Sequence, residues 1–173
     1  MSVRTPSSVG TSGGEATAVS TRPWSGDDAA WYVGHLDAEI LRWTLEPSDL
    51  DVDSWRVELS SGTRNGVIWH AIECCGEIVG SVKAVPMSDH VAISYWIAPE
   101  QRGKGYASQA LAQMTKLAVR SGWGRPIELE IHTSNEGSVR TAECAGYDFF
   151  EMRATCTACA DDTGRSAIYR WPE

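Results

Sequence analysis

The sequence predicts an α/β fold with a mixed sheet, in the order β-α-α-β-β-β-α-β-α-β-β. Segments rich in Val, Ile, Trp and Tyr recur between turn residues, as is typical of strands. Residues 103–121 instead place apolar side chains at helical spacing, and a shorter helix is expected at 136–145. The 173 residues suffice for one domain with a sizeable core. We therefore expect a flexible tail over 1–14 and a single domain over 15–173.

The N-terminal part is predicted to contain one strand and a helical insert. Residues 1–14 are rich in Ser, Gly and Thr, so they cannot offset the entropy lost on ordering. A strand is expected over Ala16–Arg22. Side-chain oxygens in Ser25–Asp28 suit a helix N-terminus, so helices are expected at about 26–42 and 48–60.

The C-terminal part is predicted to alternate strands and helices after a three-stranded meander. Within residues 127–133, apolar and polar residues alternate, which places Glu128, Glu130 and His132 on one polar strand face. Gly146 is suited to end the second helix. In chain order the elements are strands at 67–74, 77–85 and 91–98, a helix at 103–121, a strand at 127–133, a helix at 136–145, and a hairpin of 148–156 with 166–171.

The net charge of −8 is concentrated in the helical insert. The segment between Trp24 and Gly62 contains nine acidic side chains and only two basic ones. This acidity makes nucleic acid an unlikely partner and favours a cationic, amine-bearing one. A pair of solvated helix faces would explain the same charges.

The apolar stretches and the cysteines limit the class of protein further. No stretch approaches eighteen apolar residues and the first residues lack a signal-peptide pattern, so a cytoplasmic protein without membrane association is expected. Five cysteines, with Cys74 next to Cys75, make a poor disulfide framework and favour reduced thiols. Cys156 and Cys159 lack a second pair at zinc-finger spacing, so no metal is expected.

A Gly-rich turn, Arg102–Ala107, lies between a strand that ends at Pro99 and the following helix. Free N–H groups at a helix N-terminus bind phosphate, and glycines let the backbone approach the ligand. A purely structural turn is the alternative. The segment matches neither the Walker P-loop nor the Gly-x-Gly-x-x-Gly dinucleotide pattern.

The turn and its surroundings resemble the GCN5-related N-acetyltransferase (GNAT) superfamily, and in particular its RimJ/RimL branch. Arg102, Gly105 and Ala107 match the coenzyme A signature Arg/Gln-x-x-Gly-x-Gly/Ala. The resemblance covers about residues 16–171, and the matching segments around the turn are Ile93–Pro99, Asn135–Ser138 and Ala145–Tyr147.

The resemblance implies acetyl-coenzyme A, or another acyl-coenzyme A, as co-substrate, with no metal. Its pantetheine arm would lie between two splayed strands like an added strand. The implied cofactor contacts are Trp96, Ile97, Ala98, Arg102, Gly103, Lys104, Gly105, Tyr106, Ala107, Asn135 and Ser138.

The resemblance also implies direct attack by an amine, which must first lose a proton. Glu130 is the first candidate for the proton acceptor and His132 the second. Ser138 stands where RimL-like enzymes place a serine that stabilises the departing thiolate. Other branches use a tyrosine at the position of Ala142, so that route is closed here.

The acceptor side is less defined by the sequence. Many RimJ/RimL-like chains have a glutamate where this chain has Ala92, and a glycine where it has Ser94. The candidates for acceptor binding are Trp31, Trp43, Tyr95, Asp89 and His90.

Two further functions remain open at this point. The donor could be an aminoacyl-tRNA, against which the net acidity counts. A non-catalytic coenzyme A-binding module is the other alternative, suggested by Ala92 and Ala142. Both a monomer and a homodimer are compatible with the sequence.

Overall fold

The computed structural model describes residues 18–49, 51–61, 66–154 and 164–172. None of the helices in these ranges is long and apolar enough to cross a membrane. The predicted tail over 1–14 and Cys156 and Cys159 lie outside the described residues. The strands are β1 (Val19–Pro23), β2 (Ile68–Cys74), β3 (Glu77–Pro86), β4 (Val91–Ile97), β5 (Ile127–His132), β6 (Asp148–Ala154) and β7 (Arg165–Arg170), and the helices are α1 (Ala29–Gly34), α2 (Ala38–Trp43), α3 (Val52–Ser60), α4 (Tyr106–Arg120) and α5 (Glu136–Cys144).

The strands form one mixed sheet in the order β1-β2-β3-β4-β5-β7-β6. All neighbouring pairs are antiparallel except β4 and β5, which are parallel. The β4–β5 pairing is limited to Val91 with Ile127 and Ala92 with Glu128, so the two strands diverge beyond Ala92. This confirms the predicted α/β fold with a splayed central strand pair.

The helical insert differs from the expected single helix over 26–42. A 3-10 turn at Gly26–Asp28 precedes α1, and the chain is extended at Asp37 before α2 begins. The Asp37 Oδ1 atom accepts a hydrogen bond from the Ile40 N–H at 2.7 Å. The prediction was wrong because a carboxylate that caps a new helix start satisfies donors that a continuous helix would pair internally.

Each face of the sheet has its own core. Side chains alternate along a strand, so Trp96 and Ile97 of β4 point to opposite faces. On the Ile97 face, α4 contributes Leu111 and Met114, both fully buried. On the Trp96 face, the insert packs an aromatic cluster, which consists of Trp24, Trp31, Tyr32, Trp55, Trp69 and Trp96.

The alternation of Glu128, Glu130 and His132 predicts one polar strand face. In the structure Glu128 does not lie on an exposed face. Glu128 and His132 are buried, and only Glu130 is exposed. The Glu128 carboxylate accepts hydrogen bonds from Arg170 Nε at 3.0 Å and Arg153 Nη1 at 3.1 Å. Two arginines from the hairpin β6–β7 therefore cover this acid, which sequence alternation alone cannot show.

The ion pairs of Glu128 with Arg153 and Arg170 should make the free energy of unfolding depend on pH. Burial alone would raise the pKa of Glu128, but the hydrogen bonds from Arg170 and Arg153 lower it below its ordinary value of 4.5. A lowered folded-state pKa gives stability that is present above pH 4.5 and is lost as the pH falls through the folded-state value. Glu128→Gln should cost about 2 kcal/mol at neutral pH, less than a fully buried pair because both arginines are partly exposed.

Urea unfolding between pH 3 and pH 7 checks this prediction. The wild type should lose more stability on acidification than Glu128→Gln. Glu130→Gln is the matched control, because the same change is made two residues away on an exposed side chain. Parallel pH profiles for the wild type and Glu128→Gln would contradict the prediction.

Candidate active site

A groove of about 390 Å³ opens where β4 leaves β5, between α2 and the N-termini of α4 and α5. It contains most of the side chains that the sequence singled out, although they come from four separate elements. The predicted residues that line it are Trp43, Tyr95, Trp96, Ile97, Arg102, Gly103, Lys104, Gly105, Tyr106, Ala107, Asn135 and Ser138.

The Gly-rich turn forms one end of the groove. Gly103 and Gly105 have φ angles of 76° and 75°, a left-handed conformation that favours glycine. Helix α4 begins at Tyr106 rather than at the predicted Gly103 because these two residues are not helical. No side chain caps the α4 N-terminus, whereas Asn135 caps α5. The first N–H groups of α4 thus lie at a positive helix end that opens into the groove, which suits an anion.

The Arg102 side chain points away from the turn toward α2. Its guanidinium makes two hydrogen bonds to the Asp37 carboxylate, at 2.9 and 3.1 Å, and a further ion pair with Glu39. Its Nε also donates to the Ile97 carbonyl oxygen at 3.2 Å. The charge of Arg102 is therefore balanced by carboxylates, and its contact joins the turn to α2. Lys104 is the exposed cation of the turn, with its Nζ 2.7 Å from Gln101 Oε1.

The other end of the groove is formed by the start of α5 and by β4. The Asn135 Oδ1 atom accepts from the Ser138 N–H at 3.1 Å, which makes Asn135 the N-cap. The Tyr95 hydroxyl donates to the Ser138 carbonyl oxygen at 3.2 Å. Burial raises the pKa of Tyr95 to about 12, so this hydroxyl stays neutral and remains a donor at physiological pH. Together these bonds place Ser138 at the groove beside the divergence of the strands.

Several predicted residues do not line the groove. Glu130 is exposed on β5, and Ala98 is fully buried. Trp31 lies behind the groove wall, with its ring nearly parallel to Trp96 at 5.9 Å. Asp89 and His90 lie at the opposite end of β4, hydrogen-bonded to each other at 2.8 Å.

His132 packs beside the groove without lining it. Its ring lies 4.9 Å from that of Trp43. Its Nδ1 accepts from the Ser134 N–H at 3.2 Å, so a neutral ring holds its proton on Nε2. The nitrogen that could accept a proton is thus already engaged.

The groove also contains residues that the sequence analysis missed. On α5, Thr141 and Cys144 follow Ser138 at spacings of three, so helical periodicity could have identified them. Glu39, Ile40 and Thr44 gave no such signal, because the break that starts α2 was not predicted. Among the described residues, no group of three His, Cys, Asp or Glu side chains could hold a metal ion.

Residues 19–148, well over half of the chain, match the family described as acetyltransferase (GNAT) domain. The chain belongs to the GNAT acetyltransferase family. The resemblance inferred from the turn is thereby confirmed, and so is the enzyme class of acyl-coenzyme A-dependent N-acetyltransferases. No curated protein has significant sequence similarity to the chain.

Solved structures of acetyltransferases share the fold of this GNAT chain. RimJ from Mycobacterium smegmatis, in complex with CoA-disulfide, has a TM-score of 0.75 and 21% identity, and the match covers 90% of this chain and 82% of RimJ. RimL, a ribosomal L7/L12 α-N-protein acetyltransferase in complex with coenzyme A, has a TM-score of 0.75 and 16% identity over 88% and 92% of the two chains. AAC(6')-Ib, in complex with paromomycin and acetyl-CoA, has a TM-score of 0.72 and 17% identity over 89% and 93%. At these identities the similarity shows a common fold.

Proposed function

We propose that this GNAT protein transfers an acetyl or another small acyl group from acyl-coenzyme A to a primary amine. The acceptor is a cationic small molecule or a protein N-terminus, and the amine attacks the thioester directly in a ternary complex. One observation supports this most strongly: a single groove joins the Gly-rich turn, the gap between β4 and β5, and Ser138. We assign the activity to one domain over 15–173.

In this proposal the two ends of the groove bind different parts of the co-substrate. The N–H groups that follow Gly103 and Gly105, together with Lys104, bind the pyrophosphate. The pantetheine arm lies along the edge of β4 that β5 leaves unpaired beyond Ala92. That edge can form main-chain hydrogen bonds of the kind made by an added strand.

Proton transfer in this proposal uses Ser138 and Glu130. The Ser138 hydroxyl donates to the departing thiolate, and Asn135 and Tyr95 hold the backbone of Ser138 in place. Glu130 is exposed and accepts the amine proton through water, since it does not line the groove. His132 is a weaker candidate because its Nδ1 is occupied by the Ser134 N–H.

The acidic insert supports a cationic acceptor. Glu39 and Trp43 of α2 line the groove on the side opposite α5. The aromatic ring of Trp43 and the net negative charge of the insert attract an ammonium group, whereas the Glu39 carboxylate is already paired with Arg102. The net charge of −8 counts against an aminoacyl-tRNA donor, whose phosphates it would repel.

Calorimetry and a panel of amines test the proposed function. Acetyl-coenzyme A should bind at micromolar concentration, and turnover should be found among peptide N-termini, polyamines and aminoglycosides. Lack of binding at high micromolar concentration would overturn the co-substrate assignment. Binding without turnover of any amine would instead indicate a non-catalytic coenzyme A-binding module.

Ser138→Ala should lower kcat on the order of 100-fold, because a donor to the developing negative charge is lost. The affinity for acetyl-coenzyme A should change little, since the Asn135 and Tyr95 bonds involve the Ser138 backbone. Ser121→Ala, at the exposed end of α4, is the matched control. Unchanged steady-state turnover in Ser138→Ala would remove Ser138 from the mechanism.

A further inference from the structure

A buried carboxylate that the proposed mechanism does not use lies on the aromatic face of the sheet. The Glu46 side chain is only 9% exposed, although it follows the short helix α2. Its backbone N–H lies 3.4 Å from the Thr44 hydroxyl. Carboxylates are rarely buried to this extent without a compensating cation.

The cation beside Glu46 is Lys83 of β3. Its Nζ lies 3.9 Å from Glu46 Oε1 and 4.2 Å from the centroid of the Trp69 ring. At 3.9 Å the ammonium and the carboxylate are too far apart for a hydrogen bond, so charge and the ring face hold the ammonium. The Lys83 side chain is 27% exposed, so its ammonium is accessible to solvent. We call Glu46, Trp69 and the space occupied by the Lys83 ammonium the Glu46 pocket.

Aromatic rings surround the Glu46 pocket. The Tyr32 ring is perpendicular to that of Trp69 at 5.7 Å, and Trp55 lies 6.0 Å from Trp69. Burial, together with the negative charge of Glu46, raises the pKa of Tyr32 well above its ordinary value. The Tyr32 hydroxyl is therefore neutral, and its side-chain neighbours include Glu46, Trp96 and Ser81. Tyr32 and Trp55 are almost fully buried, so the negative charge of Glu46 is little screened on this side of the pocket.

The Glu46 pocket borders the groove of the candidate active site. Thr44 and Trp96 line that groove. Thr44 is also the hydroxyl neighbour of the Glu46 N–H, and Trp96 packs against Tyr32 with ring centroids 5.1 Å apart. Thr44 and Trp96 thus separate the groove from the Glu46 pocket, and an acceptor that reaches both must pass these two residues.

We propose that the Glu46 pocket binds a second, non-reacting ammonium group of the acceptor, in place of the Lys83 ammonium. The acceptors of this enzyme are then amines with two or more positive charges. This inference rests on the proposed function, since it concerns the acceptor of the same acyl transfer. Lys83 shows within the chain itself that the pocket accommodates a primary ammonium.

Calorimetry on the protein saturated with coenzyme A tests the pocket directly. The probes are linear diamines with three to six carbons, each compared with the monoamine of the same length. The diamine of best length should bind the wild type about tenfold more tightly than its monoamine, and Glu46→Gln should abolish that difference. Glu58→Gln, the same change on an exposed side chain of α3, should keep it.

Lys83→Met tests the pocket from the other side, because it removes the internal competitor. It should increase the affinity for the diamine several-fold while leaving the monoamine unchanged. Circular dichroism shows whether each variant is folded, and Lys83→Met remains informative if Glu46→Gln is not.

The outcomes separate this inference from the proposed function. A wild type that prefers no diamine, or a preference that survives in folded Glu46→Gln, overturns the pocket while acetyl transfer to monoamines can stand. Weaker diamine binding in folded Lys83→Met also overturns it. Diamine binding that depends on Glu46, without acetylation of any amine, supports the pocket and overturns the proposed function.

Discussion

Replacing both Gly103 and Gly105 by alanine should weaken acetyl-coenzyme A binding at least tenfold in a protein that still folds. Both residues have positive φ, which costs a non-glycine residue about 1–2 kcal/mol each. No atom lies within 4 Å of a Cβ added at either position, so the fold is strained but not blocked. The new methyl groups would occupy the space through which a phosphate approaches the α4 N-terminus. Calorimetry with acetyl-coenzyme A measures the loss.

The chain offers a control with the same strain. Gly122 and Gly124, at the other end of α4, have φ angles of 68° and 60° and equally open surroundings. Their double replacement by alanine should cost similar stability without affecting acetyl-coenzyme A. Equal binding losses in the two double variants would mean that the turn Arg102–Ala107 has no special role in binding.

Gly80→Ala should destabilise the protein by about 3 kcal/mol and also weaken acetyl-coenzyme A binding. Gly80 is paired with Ile97 across β3 and β4. An added Cβ would overlap the Trp96 carbonyl oxygen and lie 2.9 Å from Ile97 Cδ1 and 3.1 Å from Ile97 Cα. The neighbouring atoms include backbone, so relief requires a shift of the β4 segment that lines the groove. Thermal and urea unfolding, followed by calorimetry of the folded protein, measure both effects.

Gly34→Ala is the matched control for Gly80→Ala. Gly34 is the last residue of α1, and no atom lies within 4 Å of an added Cβ. Its replacement should be neutral or stabilise the protein by up to about 1 kcal/mol, because alanine has less entropy to lose. If Gly80→Ala were as stable as Gly34→Ala, close packing of β3 on β4 would not constrain the groove.

The fold and the cofactor end of the groove could largely be predicted from the sequence. Turn residues and periodicity are local, so β2 to β5 and α4 were expected within a few residues of their observed bounds. Gly103 and Gly105 were singled out from residue type and position in the same way, and the structure shows that both are left-handed. The N-terminus of α5, which lies at the groove, could also be predicted from a local pattern, since Asn135 and Ser138 lie within one helical turn.

Other features required partners far away along the chain. Arg102 was expected to contact the co-substrate, but Asp37 and Glu39, more than sixty positions earlier, hold its side chain. The alternation pattern predicted an exposed Glu128, but in the structure Arg170 covers its carboxylate. In each case the position of the charged partner depends on how distant elements pack, and no local pattern contains that information.

By itself, the sequence determined the order of the strands and of α4 and α5, the position of the Gly-rich turn, and the family. Those depend on backbone preferences and on spacings within a few residues, which operate wherever the segment lies. Only the tertiary structure decided which charges meet, because ion pairs form between side chains that folding brings together. It placed Arg102 against α2, covered Glu128, and set Glu46 beside Lys83 and Trp69 next to the groove.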